Sequence, residues 1–393
     1  MRRRVLTTAL VVVSCLAALP SGAEAAPGAV TCARVTAPML NDWIRAANAG
    51  TAVAERISTG RQGCAVAVGT AGLEPLTGTF SLTAVGANLT LSGGGSVFDV
   101  RNGGVLTIDH LTLTGATSGA VVSNYGGTAT VNHSVVRGNK AFFGGGLVNS
   151  GGRMTVDDTT ITGNESQGQG GGVGNSGVSG YLLVTNSRIT GNNGLYGAGL
   201  TNAGATTVVV GSEVTDNHSN GAAAGIVNSS GSLTVIGSTI ARNLVSNCPG
   251  PSLCGGGFTN AGILTIVRSR VLDHNDSGIG NLGGGRLEVT DTVIAGNSAP
   301  GPGAGVINGL GGLVTIKDSV LTRNHTDDSG GAVANTGGGV ITVEHSRVTG
   351  NSATVDGGGL ANLANGLVRV TNGTFVGDNA PDNCTGAVDG CVG

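Results

Sequence analysis

Residues 144–164, GGGLVNSGGRMTVDDTTITGN, contain the pattern that most of the chain repeats. A run of glycines is followed by an apolar residue two positions before an asparagine, then by a glycine turn and a short apolar-x-apolar segment. A serine or threonine comes next, and another apolar residue stands three positions before a second asparagine. A fixed-period repeat of this kind is the signature of a repeat architecture, so it outranks local propensity. The pattern therefore decides the fold.

From residue 93 to residue 379 the repeats align as columns of apolar residues at spacings of 23 to 31 residues. One column consists of Ile108, Val131, Val156, Val184, Val209, Val235, Ile266, Val289, Ile316, Val343 and Val370. A second consists of Leu113, Val136, Ile161, Ile189, Val214, Ile240, Val271, Ile294, Leu321, Val348 and Phe375. Each apolar segment is about five residues long with inward residues at period two, which is typical of a β-strand.

Three such strands in each repeat predict the coils of a parallel β-helix. The hand should be right, because parallel crossovers are nearly always right-handed. We therefore predict an all-β fold, a single-domain right-handed parallel β-helix with a short N-terminal cap helix. Eleven coils cover residues 93–379, after an N-terminal cap and entry region at 26–92. Residues 380–393 are predicted to form a C-terminal cap closed by a disulfide.

Two columns of asparagine mark the predicted corners of the coils. The first contains Asn124, Asn149, Asn175, Asn202, Asn228, Asn260, Asn281, Asn308, Asn335 and Asn362. The second contains Asn139, Asn164, Asn192, Asn217, Asn243, Asn297, Asn324 and Asn351, with His274 and Asp378 at the equivalent places of two coils. Asparagine tolerates a left-handed corner, and stacked amides can bond coil to coil. We expect structural ladders rather than catalytic amides.

The N-terminal end has the features of an export signal and a cap. Residues 1–25 combine three arginines, an apolar run and an Ala-Glu-Ala site, which predicts a secretory signal peptide. Cys15 is not expected to be lipidated, because the apolar run continues beyond it. Residues 37–50 predict one amphipathic helix whose apolar face includes Trp43, since a solenoid must shield its first coil.

Composition excludes some partners and favours an extracellular location. Removal of residues 1–25 takes away three arginines and one glutamate, so the formal net charge falls from −3 to −5. Nucleic acid is therefore not an expected partner. No later segment is apolar enough to span a membrane, and we expect a secreted monomer. The six remaining cysteines predict three disulfides in an exported protein. The local pairs are Cys32–Cys64, Cys248–Cys254 and Cys384–Cys391.

The segment Gly330-Gly331-Ala332-Val333, which follows Val-Leu-Thr-Arg-Asn at 320–324, resembles the paired GGA[ILV] and FxxN motifs of the polymorphic outer-membrane protein repeat. Looser versions recur over residues 118–379. That resemblance implies surface-exposed adhesins built on β-helix coils. More broadly, the chain resembles the pectate-lyase-like superfamily, which contains polysaccharide lyases, hydrolases and non-catalytic members.

The length of the repeat varies mainly in one connection, between the second asparagine and the next glycine run. Variation on one edge of a solenoid usually marks its binding side. Aromatic platforms suited to sugar binding lie there. The candidate ligand-binding residues are Lys140, Phe142, Phe143 and Tyr196. Tyr125 and Tyr181 lie nearer the corners and receive less weight.

A catalytic alternative depends on carboxylates. Asp291 and Asp318 occupy equivalent outward positions in neighbouring repeats, as an inverting hydrolase would require. A lyase would instead need cationic groups, together with calcium held by several carboxylates. Asp327 and Asp328, with Asp356 of the next repeat, are the candidate calcium ligands. Solvated acidic loops explain the same residues. No metal or cofactor is expected otherwise.

The sequence therefore favours an exported, non-catalytic protein that binds an extracellular polysaccharide or a cell-surface partner, in the manner of an adhesin. A polysaccharide lyase or glycoside hydrolase is the alternative. The ligand is not defined by the sequence.

Overall fold

The computed structural model describes residues 28–248, 254–371 and 373–391. These residues form a right-handed parallel β-helix of about 13 turns, with one α-helix near the N-terminus. The predicted fold is confirmed. The predicted signal peptide and Cys15 lie outside the described residues.

Five parallel sheets contain the described strands. Sheet A has Val30–Thr31, Val53–Gly60, Thr79–Gly86, Val105–Asp109, Thr128–Asn132, Arg153–Asp157, Tyr181–Thr185, Thr206–Val210, Ser232–Ile236, Ile263–Val267, Arg286–Thr290, Leu313–Lys317, Val340–Glu344, Leu367–Thr371 and Val388–Asp389. Sheet B has Cys64–Gly69, Leu89–Gly93, Leu111–Thr114, Val135–Arg137, Thr160–Thr162, Arg188–Thr190, Glu213–Thr215, Thr239–Ala241, Arg270–Leu272, Val293–Ala295, Val320–Thr322, Arg347–Thr349 and Phe375–Gly377.

Sheet C follows the glycine runs. It has Phe98–Val100, Val122–Tyr125, Leu147–Ser150, Val173–Ser176, Leu200–Ala203, Ile226–Asn228, Phe258–Asn260, Ile279–Asn281, Val306–Asn308, Val333–Asn335, Leu360–Asn362 and Cys384–Thr385. Sheet D has Lys140–Ala141, Glu165–Ser166, Asn193–Gly194, His218–Ser219 and Leu244–Val245. Sheet E has Ser298–Ala299, His325–Thr326 and Ser352–Ala353. Sheets D and E are short because they lie in the variable connection.

The helix Ala37–Asn48 covers the first coils. A short 3₁₀ helix, Cys32–Arg34, precedes it. Thr36 caps the α-helix, because its side chain accepts a hydrogen bond from the N–H of Met39. Leu40 and Ile44 are fully buried, and Trp43 is partly buried against the core. The helix therefore shields the open end of the solenoid, as a terminal cap must.

The apolar columns form one continuous core. One residue predicted for these columns, Phe375, is not part of it. Val348 pairs with Val376, and Phe375 pairs with Arg347 instead. Phe375 is therefore exposed on the outer face, and its predicted place in the inward column was wrong. The reason is a one-residue insertion: two residues separate Thr371 from Thr374, whereas one separates the equivalent residues of the preceding coil. Because strand side chains alternate, a shift of one residue reverses the face.

Both asparagine columns form the predicted ladders. In the first, each side-chain amide donates to the amide oxygen of the next coil, from Asn124 to Asn149 at 2.7 Å and onward to Asn362. The second runs in the same way from Asn139, except that the backbone N–H of Asn243 donates to His274. Because of the same insertion, its next member after Asn351 is Asn379 and not Asp378, and Asn379 in turn donates to Oδ1 of Asn383.

The ladder asparagines themselves do not adopt the predicted left-handed conformation. Among the described residues, positive φ angles fall on the residue just before the second-column asparagine, such as Gly163, Asp216 and Arg323. They also fall on the residue that leaves sheet A, such as Asp158 and Asn186. The preceding residue turns the chain, and the asparagine is thereby free to point its amide into the stack.

A third ladder, of hydroxyl groups, runs along the corner between sheets A and B. Each hydroxyl accepts the N–H of the equivalent residue in the preceding coil, and most of them donate to a nearby carbonyl. Its members are Ser134, Thr159, Ser187, Ser212, Ser238, Ser269, Thr292, Ser319, Ser346 and Thr374. The serine or threonine of each repeat thus serves as a hydrogen-bonding partner between coils, since backbone N–H groups inside a stack need partners.

The glycine run is required by a close approach of neighbouring coils. Gly144 has a φ of 62°, which favours glycine. A Cβ on Gly145 would lie 2.4 Å from the carbonyl oxygen of Gly171 and 2.5 Å from that of Glu165. Any side chain there would separate the coils, so the run stands where the chain enters sheet C.

The three predicted disulfides are present: Cys32–Cys64, Cys248–Cys254 and Cys384–Cys391. The first joins the N-terminal segment to sheet B, and the last closes the final coil. Among the described residues, no helix has the length and apolarity needed to cross a membrane.

Removing one ladder amide should destabilise the fold. Asn324 is fully buried, accepts from the backbone and side chain of Asn297, and donates to the carbonyl of Ile294 at 3.0 Å. Asn324→Ala leaves the N–H and side-chain amide of Asn297 and the carbonyl of Ile294 without these partners. We therefore expect a loss of about 2–4 kcal/mol in the free energy of unfolding, measured with urea. Asn193→Ala removes an exposed asparagine and should change it by less than about 0.5 kcal/mol. Equal effects would show that the ladder does not stabilise the coils.

Candidate functional site

The variable connection lies on one edge of the solenoid, beside sheet D. Sheet D begins directly after the second-column asparagine, so its strands occupy the segment that the sequence marked as variable. Lys140 pairs with Glu165 in the register of this sheet, and its Nζ lies 2.6 Å from Oε1 of Glu165. Both side chains are about half exposed. Lys140 therefore forms a surface ion pair, which contributes little to stability.

Phe142 and Phe143 share one groove on this edge. The groove has a volume of about 260 Å³ and is lined by Ser118, Gly119, Ala120, Ser123, Tyr125, Ala141, Phe142, Phe143, Val148, Ser150 and Ser176. The ring of Phe143 lies against Gly174 in sheet C, where a Cβ would come within 2.5 Å of its Cε1. Phe142 is 76% exposed, whereas Phe143 is partly buried. One ring is thus held in place and the other faces solvent.

Tyr125 belongs to the same groove, although nothing in the sequence distinguished it from Tyr181 as a candidate. It ends the strand Val122–Tyr125 in sheet C, is 41% exposed, and has the guanidinium of Arg101 over its ring at 4.8 Å from the centroid. The strand edge and the loop aromatics meet only because successive coils stack. The signal available in the sequence was the alignment of Tyr125 with Ser150, which places both residues in one register of sheet C.

Tyr196 lies on the same edge but outside the groove. It forms a bridge with Gln169, whose carbonyl accepts the N–H of Gly144. Tyr196 therefore occupies the place of Phe143, two coils further along. Its side chain is 38% exposed, so the edge presents aromatic surface at two points on the order of 10 Å apart.

The candidate catalytic residues Asp291 and Asp318 lie on a different corner, where sheet A ends. They occupy adjacent coils, are exposed, and have φ angles of 51° and 49°. Aspartate is one of the few residues that adopt this conformation readily. Their position in the turn accounts for their residue type, and a catalytic role stays a prediction.

Asp327 is exposed and Asp328 is partly buried in the same loop, and the carboxylate of Asp356 contacts neither of them. Oδ1 of Asp327 is 3.4 Å from Nε2 of His325. Asp356 instead faces Asp382, and the hydrogen bond between the two carboxyl groups lowers the pKa of Asp356 and raises that of Asp382. In the described part of the chain, neither group of three possible metal ligands includes Asp327 or Asp328. Calcium binding there stays a prediction.

A buried histidine and a buried aspartate distinguish the coil that follows the Cys248–Cys254 loop. Nδ1 of His274 accepts from the N–H of Asn243, and its Nε2 lies 3.2 Å from the carbonyl of Ile240. Burial lowers the pKa of His274 to about 4, so the ring is neutral at pH 7. Burial also raises the pKa of Asp276 to about 6, and the N–H of Ser277 donates to its carboxylate. Burial is therefore the largest cause of both pKa shifts in this coil.

The buried carboxyl should make stability depend on pH. Because the pKa of Asp276 is raised in the folded state, its contribution is present below about pH 4 and is lost as the pH rises through about 6. Asp276→Asn keeps the acceptor for Ser277 and removes the charge. We expect it to raise the free energy of unfolding relative to the original protein by about 2–3 kcal/mol at pH 7.5, and by much less at pH 4.

The matched control for this measurement is Asp273→Asn, since Asp273 is exposed in the same coil. Urea unfolding of both variants at pH 4, 6 and 7.5 gives the comparison. A gain that does not vary with pH would show that ionisation of Asp276 does not oppose folding.

No protein-family model and no curated protein matches the sequence. Among solved structures, the fold is similar to the catalytic unit of a thermostable GH87 alpha-1,3-glucanase from Streptomyces thermodiastaticus strain HF3-3. The identity is 16%, the TM-score is 0.43, and the alignment covers 91% of this chain and 71% of the other. A likeness of this size carries no argument about activity.

Proposed function

We propose that this β-helix is an exported polysaccharide-binding protein of the surface or adhesin-like type, without a catalytic role. The observation that supports the proposal best is the groove around Phe142, because it combines exposed aromatic surface with several hydroxyl groups. Binding sites for small ligands and sugars are concave, mostly apolar, and carry a few polar groups that orient the ligand.

Sugar rings suit this groove for a physical reason. Their C–H faces are apolar and pack on aromatic rings, while their hydroxyl groups need hydrogen-bonding partners. Phe142 offers an exposed ring face, and Tyr125 offers a ring with a hydroxyl. Ser118 and Ser150 are among the hydroxyl groups that line the groove.

The solenoid would extend the site along its axis. Tyr196 repeats the position of Phe143 two coils later, so a chain of sugars parallel to the axis would meet a second aromatic side chain. Lys140, in the coil of Phe143, and Glu165, in the next coil, form an ion pair on the same edge. A rigid stack presents such contacts without loss of backbone entropy on binding, which favours recognition of an extended polymer.

Export is part of the proposal. Three disulfides fit an oxidising compartment, where they form and persist. The predicted signal peptide agrees with that location.

Polysaccharide binding should depend on the exposed aromatic side chains Phe142 and Tyr196. The mature protein is incubated with a panel of neutral and uronate polysaccharides, with and without calcium, and retention is measured by affinity electrophoresis. We expect one polysaccharide to retard the protein, and Phe142→Ala and Tyr196→Ala to weaken binding about fivefold or more, since a stacked ring is worth on the order of 1 kcal/mol. Stability should change by less than about 0.5 kcal/mol in Phe142→Ala, because the ring is exposed.

Phe375→Ala is the matched control, because Phe375 is an exposed aromatic residue on sheet B, away from the groove. Its loss should leave retention unchanged. Equal weakening in all three variants, or no retention by any polysaccharide, would contradict the proposal.

The same incubations test the enzymatic alternative. We expect no new reducing ends and no unsaturated products. Cleavage that disappears in Asp291→Asn or Asp318→Asn would establish a hydrolase, and these changes suit the left-handed corner. Calcium-dependent cleavage lost in Asp327→Asn or Asp328→Asn would establish a lyase instead.

A further inference from the structure

Two histidines stack at the corner between sheets A and B. His110 follows the strand Val105–Asp109, and His133 follows the strand Thr128–Asn132 of the next coil. Asp109 pairs with Asn132, so the imidazole rings lie one above the other, with centroids 4.8 Å apart and planes 20° from parallel. Both residues are left-handed and their side chains are nearly half exposed. The corner therefore presents two imidazoles to solvent in the same orientation.

One carboxylate oxygen contacts both rings. Oδ1 of Asp109 lies 3.0 Å from Nδ1 of His110 and 2.8 Å from Nδ1 of His133. Two nitrogens and one oxygen thus converge on one point at the surface, while Nε2 of His133 lies 3.8 Å from Oδ2 of Asp158 in the following coil. Each nitrogen at this point carries either a proton that it donates to Asp109 or a free lone pair.

We propose that Asp109, His110 and His133 bind a divalent transition-metal ion of the Zn²⁺ or Cu²⁺ class. Their three ligand atoms lie within 4.8 Å of one another. In a tetrahedral site with bonds of about 2.0–2.2 Å, neighbouring ligand atoms are roughly 3.3–3.5 Å apart, so each nitrogen–oxygen distance needs to widen by only a few tenths of an ångström. Exposed side chains can make that adjustment, and water completes the coordination.

The ligand types select the class of ion. Imidazole nitrogens with a single carboxylate suit zinc and copper, whereas calcium and magnesium require oxygen ligands. The second group of possible ligands in the described residues consists of Cys248, Cys254 and Asp276. Its sulfurs form a disulfide and are not thiolates. The histidine corner is therefore the better site.

A second carboxylate lies near the other ring nitrogen of His133. When Nδ1 of His133 binds the ion, its ring proton is carried on Nε2, which faces the carboxylate of Asp158. At this distance the two groups are too far apart for a hydrogen bond, so Asp158 acts through its negative charge, which favours a bound cation. Asp157, which accepts from Nδ2 of Asn186 at 3.0 Å, adds negative charge to the corner.

Protons compete with the metal at this site. The hydrogen bond to Asp109 raises the pKa of His133, and the charges of Asp158 and Asp157 act in the same direction, whereas burial opposes them. The neighbouring ring of His110 faces it as well. A ligating imidazole must be unprotonated, so protons and the metal ion compete for the same ring nitrogens and metal affinity should fall in acid.

The chain offers a matched control at the same corner position. His345 also follows a sheet A strand and has a φ of 46°, but it lies outside both groups of possible metal ligands in the described residues. Asn186 occupies this position as well, with a φ of 49°. Histidine-to-asparagine substitutions therefore preserve the backbone of the corner.

Isothermal titration with ZnCl₂ and CuCl₂ tests the proposal on the mature protein, free of any polyhistidine tag and of chelator. We expect one ion to bind per chain. His110→Asn and His133→Asn should each weaken binding by at least about tenfold, Asp158→Asn by a smaller factor through the loss of its charge, and His345→Asn should have no effect. Electron paramagnetic resonance of the Cu²⁺ form should show two coupled imidazole nitrogens, and neither in the double variant His110→Asn/His133→Asn.

No binding by the original protein would overturn the proposal. Unchanged affinity or an unchanged resonance spectrum in the double variant would also overturn it, because the ion would then lie elsewhere. Circular dichroism confirms the fold of each variant. Should one histidine variant fail to fold, the other histidine variant still decides the outcome.

Discussion

Every corner of this β-helix encloses backbone N–H and C=O groups where water cannot reach them, and the stack is stable only if each finds a partner. Asparagine supplies the partners on two corners and a hydroxyl on the third, and each side chain reaches the adjacent coil. The ladders therefore set the register of the coils. Because strands alternate faces, correct register is what keeps every apolar column inside.

Once the ladders hold the coils, the segments between them are free to vary. The connection after the second ladder gains residues that form the short sheet D and the groove of Phe142 and Tyr125. The corner after sheet A varies in residue type instead, and there His110 and His133 meet Asp109. The proposed polysaccharide groove and the proposed metal site thus lie on different corners of one scaffold, and each can be lost without the other.

Periodicity allowed the fold and both ladders to be predicted, because each coil contributes the same residue type at the same place. It failed locally where one residue is inserted after Thr371, and so Val376 and Asn379 replaced the predicted Phe375 and Asp378. The left-handed positions were also misassigned to the ladder asparagines. A turn needs its unusual conformation at one residue only, and the repeat pattern does not show which of two neighbours adopts it.

The sequence by itself determined the architecture, the cap helix, the three disulfides and the edge on which the chain varies, because these follow from spacing along the chain. Only the tertiary structure decided which side chains meet. Tyr125 joins Phe142, Asp356 joins Asp382 and not Asp328, and two histidines share one carboxylate oxygen. The pairs Tyr125–Phe142, Asp356–Asp382 and Asp109–His133 are 17, 26 and 24 positions apart in sequence. Their contacts depend on side-chain directions that stacking sets and composition does not contain.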